Sequence, residues 1–459
     1  MPAFSLGPEQ LAWCAELRAL ATQRLRPLAE KGEPGHVNRP LVAELGRLGL
    51  LSRLFTSGAL DLCLMRESLA YACTEAETAL ALQGLGAHPV HAHGTPAQRD
   101  RWLPRVTDGT AIAAFALSEP GAGSDAAALG LRAEPEEGVG WGGRARESGA
   151  ERQGASGRGG APVREGAAQV LLTDAAATAA TSPARRGAAK SAAEALPRVS
   201  RAAAPADLAV PPAPLAADPE GSARWRLAGE KCWISNAPEA DFYTVFARTT
   251  PGAGARGVTA FLVPADRPGL TGTPLDMLSP HPIGALDFDA VPVTADDVLG
   301  EVDRGFRVAM GTLNLFRPSV GAFAVGMAQA ALDAALAHTA GRDAFGGKLR
   351  DLQTVAHQVA EMALRTEAAR LMVYAAATAY DENSPDVPGR AAMAKLLATE
   401  TAQYVVDAAV QLHGARALRR GHLLEHLYRE VRGPRIYEGA SEVQRGIIAK
   451  ELYESQGAP

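Results

Sequence analysis

Near the C-terminal end of the sequence, Arg435-Ile436-Tyr437-Glu438-Gly439-Ala440-Ser441-Glu442-Val443-Gln444-Arg445 sets a carboxylate in a turn that runs straight into a helix. Val443, Ile447, Ile448 and Leu452 have helical spacing. Ser441 stands where an N-cap would stand, and Gly439 frees the backbone just before it. Glu438 has two readings at this level. It favours the helix N-terminus through the dipole, or the turn holds it out over a cavity. Three other stretches combine residue types that could do chemistry. Ser118-Glu119-Pro120-Gly121-Ala122-Gly123-Ser124-Asp125 follows an apolar run, and its glycines let backbone N–H groups approach a ligand, or simply form a tight turn. In Lys231-Cys232-Trp233-Ile234-Ser235-Asn236, Trp233 is either core or a surface for a flat ring. Arg342-Asp343-Ala344-Phe345-Gly346 follows a long helical pattern, where Arg342 could pair with a phosphate or cap the helix.

Two other motifs carry less. Gly252, Gly254 and Gly257 spell G-x-G-x-x-G, but the dinucleotide fingerprint needs a strand before it and a helix after it. Val258 to Val263 follows, which reads as another strand, so the motif is expected to be a hairpin loop. His88, His91 and His93 cluster without a nearby carboxylate or cysteine, so the ligand set of a metal site is incomplete.

The elements that must position these residues fall into three blocks. Residues 8 to about 113 have helical periodicity, seen in Leu11, Ala15, Leu17 and Leu20, in Leu41 to Leu51, and in the small-residue-rich stretch from Leu62 to Leu82. Thr95-Pro96 is expected to open a further helix carrying Trp102. Short strand-like runs then occur at Ala111–Leu117, Trp225–Leu227, Cys232–Ile234, Phe242–Ala247, Val258–Val263 and Val291–Val293. From Gly305 long helical patterns return, at about Gly305–Thr339, through Val355 to Val373, and at Pro388–His413. The fold class expected is α+β, mostly α, with an N-terminal helical domain (1–113), a middle antiparallel β domain (114–300) and a C-terminal four-helix bundle (301–459). Residues at about 138–221 are rich in Ala, Gly, Pro and Arg and lack a sustained apolar period. They read as a disordered insertion between Leu131-Arg132-Ala133 and its hairpin partner Trp225-Arg226-Leu227. Loop-closure entropy grows slowly enough with length to allow it.

With 459 residues, 47% hydrophobic and 21% charged, the composition is that of a globular protein with a substantial core. A net charge of −5 and no basic block give nucleic-acid binding no support. No run of membrane-spanning length and no secretory leader are expected. Four scattered cysteines suit a reducing compartment, and a cytoplasmic location is expected.

Taken in order, these stretches resemble the acyl-CoA dehydrogenases, flavoenzymes that desaturate acyl-CoA thioesters. The resemblance rests on Gly94 to Pro104, Phe115 to Asp125, Lys231 to Asn236 with Asp241-Phe242-Tyr243, Gly341 to Gly346, Gln353, Gln411 to Gly414 and Ile436 to Gln444, and spares only the insertion. It implies an FAD whose isoalloxazine meets Phe115, Leu117, Ser118, Trp233 and Ser235. The adenosine and pyrophosphate would meet Arg342, Phe345, Gln353, Gln411 and Gly414, at least Arg342 and Gln411 acting across a subunit interface. Ser124, Asn314, Arg317, Tyr437 and Gly439 would contact the acyl-CoA. Glu438 would be the base that takes the α-proton while the β-hydrogen leaves as hydride to flavin N5. The backbone N–H of the base residue and a ribityl hydroxyl would stabilise the thioester oxygen. Some members carry the base just before the arginine matched by Arg317; that position is Phe316 here. Ala440 replaces the Thr usual after Glu-Gly, His413 and Ala415 alter a glycine-rich stretch, and Asn314 stands where many straight-chain enzymes have Asp. The implied electron acceptor is an electron-transfer flavoprotein, and the implied assembly a homotetramer or homodimer. An acyl-CoA oxidase of the same fold and a non-catalytic flavin-binding homologue are the alternatives.

Overall fold

The computed structural model describes residues 6–136 and 224–455. The expected insertion at about 138–221 lies outside the described residues. Helices α1 (Pro8–Leu20), α2 (Arg26–Ala29), α3 (Arg39–Arg47), α4 (Leu50–Thr56), α5 (Ala59–Ala72), α6 (Thr74–His93) and α7 (Pro96–Thr107) come first. The apolar stretch from Leu62 to Leu82 becomes two helices, because Cys73 is extended at φ −159° and ψ 100°. α7 begins as its sequence implies. The Gln98 N–H donates to Thr95 Oγ1 at 3.2 Å and the Thr95 N–H to Gln98 Oε1 at 2.7 Å, while Pro96 occupies a position needing no donor.

One sheet follows, built from β1 (Ala113–Ala116), β2 (Arg132–Pro135), β3 (Arg224–Ser235), β4 (Phe242–Arg248), β5 (Val258–Pro264), β6 (Leu270–Pro274) and β7 (Ile283–Thr294). Its order is β1-β4-β2-β3-β7-β6, with β5 also on β4. The pairing is mainly antiparallel, but β1 runs parallel to β4, Ala113 opposite Phe242. A parallel pair cannot be closed by a tight hairpin, and here the chain returns to β4 only after forming β2 and β3. β2 and β3 are antiparallel, with Ala133 opposite Leu227, so the segments flanking the expected insertion pair as their patterns imply. The runs Trp225–Leu227 and Cys232–Ile234 belong to one long strand, irregular between Leu227 and Gly229 and again between Lys231 and Ile234. The G-x-G-x-x-G stretch is the β4–β5 connection, with Arg248 opposite Val258.

The last block contains α8 (Gly305–Gly341), a hairpin of β8 (Asp343–Ala344) and β9 (Gly347–Lys348), α9 (Gln353–Asp381), α10 (Val387–His413), α11 (Leu423–Glu430) and α12 (Ser441–Ser455). By length and composition α8 could cross a membrane, against the expectation that no such run exists. Its most apolar window is 72% buried within the protein, because α5, α9 and α10 pack around it. The expected apolar face of α12 is less well covered: Leu452 is 55% exposed.

The approach of α5 to α8 brings two parts of the site together. A Cβ on Gly326 would lie 2.4 Å from the Glu67 carbonyl oxygen, so α8 can touch α5 there only as glycine. Gly326→Ala is expected to destabilise by about 1–3 kcal/mol through overpacking. Gly311→Ala on the same helix, where a Cβ meets nothing within 4 Å, serves as the control. Thermal melts of the two variants check this: Tm falls for the first and holds or rises for the second.

Candidate active site

The Glu438 turn is held by its carbonyls. Pro434 opens a short 3-10 turn, and the N–H groups of Ile436 and Tyr437 both donate to the Gly433 carbonyl, at 2.8 and 3.2 Å. The chain then turns through Glu438 at φ +52° and Gly439 at φ +96°. A left-handed Glu is strained, and such strain persists only where the surroundings hold it. Here Arg317 Nε (3.3 Å) and Gln444 Nε2 (3.1 Å) donate to the Glu438 carbonyl, and Gln444 Nε2 (2.9 Å) and Lys395 Nζ (2.6 Å) to the Gly439 carbonyl. Position 439 favours glycine because φ +96° strains any other residue, and a Cβ there would also press on Gln444 Nε2 at 2.4 Å. Ser441 does not cap α12. The Ala440 carbonyl accepts the first helical bond from Gln444 N–H, and the Ser441 hydroxyl donates to Glu400 at 2.6 Å, which Arg435 also meets at 3.0 Å.

What this turn displays is a carboxylate with nothing to do inside the protein. Glu438 as a residue is half-buried, but its Oε2 is sealed from solvent and has no hydrogen-bond partner among the described residues. Its main-chain N–H is likewise unpartnered among them. Burial raises the Glu438 pKa above its usual value, opposed in decreasing order by Arg66, Lys395 and Arg317. Arg66 comes from α5 and is buried, bonded to Glu77 of α6 and to Ser319 of α8 at 2.7 Å. Phe316, at the alternative base position, is buried against His88 with ring centroids 6.2 Å apart.

A second group of candidate residues stands at the end of β1 and the bulge of β3. Lys231 is fully buried, and its ammonium donates to the Leu117 carbonyl at 2.9 Å and to Glu119 Oε1 at 2.7 Å. Glu119 in turn accepts from the N–H groups of Gly130 and Leu131. Burial pulls the Lys231 pKa down to about 8 against the pull of Glu119. This pair fixes Leu117 and Ser118, and the Ser118 carbonyl accepts from Cys232 N–H at 3.0 Å. Trp233, at the bulge, sits at φ +57° and is 49% exposed. Of its two readings, core and exposed flat surface, the structure takes the second. Phe115 packs on Phe246, Ser235 is half-buried and Ser124 is exposed.

A third group gathers at the far end of the helices. His338 near the end of α8 stacks on His413 near the end of α10 at 4.1 Å, bringing Arg342 and Phe345 to the same end as Gln411 and Gly414. Phe345 is 89% exposed at φ +54°, and the Arg342 guanidinium makes no hydrogen bond or ion pair among the described residues. Gln353 opens α9 beside them and is exposed.

The family's domain models match in chain order: the acyl-CoA dehydrogenase N-terminal domain at residues 7–110, the middle domain at 206–291 and the C-terminal domain at 303–453. Bovine mitochondrial short-chain specific acyl-CoA dehydrogenase is 31% identical over 450 residues, covering 95% of this chain and 88% of that one. The chain belongs to the acyl-CoA dehydrogenase family. A probable acyl-CoA dehydrogenase of Mycobacterium bovis is 39% identical over 231 residues, a match spanning 50% of this chain and 59% of that protein's length. The structure of butyryl-CoA dehydrogenase from Megasphaera elsdenii superposes with a TM-score of 0.75 at 26% identity, covering 98% of this chain and 99% of that one. FAD is the cofactor of acyl-CoA dehydrogenases. The residues here fit it: Trp233 is held strained and half-exposed beside Ser118, and a Cβ at Gly121 or Gly123 would meet nothing within 4 Å, so that loop is open to a ligand.

Arg317 and Asn314 bond to each other at 3.3 Å, and the buried Arg317 also donates to the Glu438 carbonyl. His88 bonds Thr312 at 3.2 Å and packs on Phe316, and no group of His, Cys, Asp or Glu among the described residues is arranged for a metal. Lys395, Gln444, Arg66, Glu77 and Glu400 carry no role in the sequence reading. A signal was present, since Lys395 interrupts the alanine face of α10 (Ala391, Ala394, Ala398), a charge where helical spacing demands an apolar side chain. Removing the acid of the second group is expected to be costly. Glu119→Ala strands a buried ammonium and two N–H groups, worth about 3–5 kcal/mol. Tm should drop and FAD should be lost on gel filtration; a stable variant that stays yellow would show the pair is dispensable.

Proposed function

We propose that this chain desaturates an acyl-CoA thioester to the trans-2-enoyl-CoA, with Glu438 as the general base. The observation that supports this most is the buried Glu438 Oε2 without a partner among the described residues, on a turn whose Glu438 and Gly439 carbonyls are both taken and whose Glu438 N–H is free among them. An α-proton beside a thioester is a weak acid, so its acceptor must be close and poised near neutrality. Burial raises the carboxylate's proton affinity toward that range. Negative charge then grows on the thioester oxygen. The free Glu438 N–H is a donor already in place for it, at no cost of reorganisation. FAD, when bound, supplies the acceptor for the β-hydride. For this chain's part, Phe115, Leu117, Ser118, Trp233 and Ser235 hold and orient the flavin ring. Ser124, Asn314, Arg317, Tyr437 and Gly439 are assigned to the acyl-CoA side. Phe316 cannot take a proton.

Arg342, Phe345, Gln353, Gln411 and Gly414 are assigned to the adenosine and pyrophosphate of FAD held by a second copy. Twenty-five residues of α8 separate Arg317 behind the base from Arg342, roughly 37 Å of helix. A span of this length favours a second copy as the holder of the far end. This supports a homodimer or homotetramer. An electron-transfer flavoprotein as acceptor and a cytoplasmic setting complete the reading.

Purified protein should be yellow, and anaerobic mixing with a panel of acyl-CoAs should bleach the flavin for at least one. Glu438→Gln should retain FAD and lose bleaching by several orders of magnitude; bleaching at the wild-type rate would assign the base elsewhere. The base acts as the carboxylate, and its pKa stands above the usual 4.5. Activity should therefore fall on acidification with a midpoint above 4.5, read from kcat/KM against pH.

A further inference from the structure

We propose that Lys395 is a positioning residue for the base, its ammonium clamping the Gly439 carbonyl so that the turn presents both the carboxylate and the N–H of Glu438 to the substrate. The inference rests on the reading of Glu438 as the base. Lys395 lies on the buried face of α10, among Ala391, Ala392, Ala394 and Ala398, and is itself fully buried. An ammonium buried among alanines costs several kcal/mol unless something anionic or strongly accepting meets it. Its one hydrogen bond among the described residues is the 2.6 Å bond to the Gly439 carbonyl. That bond is one of four converging on two adjacent carbonyls of a strained turn, from α8, α10 and α12. With the carbonyls pulled inward, the Glu438 N–H is left unpartnered on this turn.

Charge acts alongside geometry. The groups that act on Glu438 are Arg66 from α5, Arg317 from α8 and Lys395 from α10. Those that act on Lys395 are Glu438, Arg317, Glu400 and Glu442. Lys395 thus carries two effects that can be separated. It fixes the turn as a donor, and it favours the ionised base as a cation.

The test uses the FAD-loaded protein and two substitutions. Lys395→Met removes donor and charge; Lys395→Gln keeps a donor without charge. Turnover is not needed for the first readout, the Tm difference between Glu438 and Glu438→Gln forms at a series of pH values. Glu438 binds its proton more tightly in the folded chain than in the unfolded one, so folded stability falls as pH rises from 4.5 to the folded pKa. The advantage of Glu438→Gln should grow across that window and then level off. In both Lys395 variants the levelling pH should move up by at least about one unit, as expected for loss of a nearby opposite charge. The acid limb of kcat/KM should move with it. Misplacing the turn should lower kcat about ten- to a hundredfold in Lys395→Met, and Lys395→Gln should recover part of that loss. Unchanged levelling pH and unchanged kcat in Lys395→Gln would overturn the proposal, even if Lys395→Met fails to fold. Turnover by Glu438→Gln alone would instead overturn the base assignment, so the two failures are distinct.

Discussion

The site depends on the capture of two neighbouring carbonyl oxygens. Glu438 and Gly439 take a backbone path that costs free energy, and Arg317, Lys395 and Gln444 hold it from three different helices. These donors determine which groups of the turn remain free: one carboxylate and one N–H. A turn with its carbonyls unclaimed could rotate either group away. The arrangement also links the turn to the helical block, since moving α8, α10 or α12 moves Glu438.

Buried charge recurs on both sides of the site, each time in a structural role. Lys231 and Glu119 fix the end of β1 beneath Trp233, as Lys395 fixes the turn beneath Glu438. Burial lowers the pKa of both lysines to about 8, so neither is a comfortable cation. Such groups are poor sources of net stability but strict about geometry, because no other arrangement satisfies them. Arg66, tied to Glu77 and Ser319, adds a third buried charge under the carboxylate. The proton affinity of Glu438 is thus a balance between burial, which raises it, and three cations, which lower it. The third group, Arg342 with Phe345, Gln411 and Gly414, lies at the other end of the same long helices.

The blocks of helix, sheet and helix were legible because each rests on local periodicity, and the hairpin of β2 and β3 could be paired across the long intervening segment from alternation alone. The candidate site was legible in part. Glu438, Ser118, Trp233 and Arg342 stand in motifs whose order along the chain identifies the family. Asn314 and Arg317 stood in the pattern too, but their contacts with each other and with the Glu438 carbonyl arise only when α8 meets the turn.

By itself, the sequence determined the element order, the glycine that lets the turn close, and the presence of a glutamate in that turn beside a phenylalanine at the other possible base position. Only the tertiary structure decided that the glutamate is buried and unpartnered, that Trp233 is bent outward at a bulge, and that Lys395, Gln444 and Arg66 serve the site. The reason is that spacing along a chain specifies which side chains share a face of one helix or strand. Desolvation, and the hydrogen bonds that compensate it, depend on which other faces come to meet it.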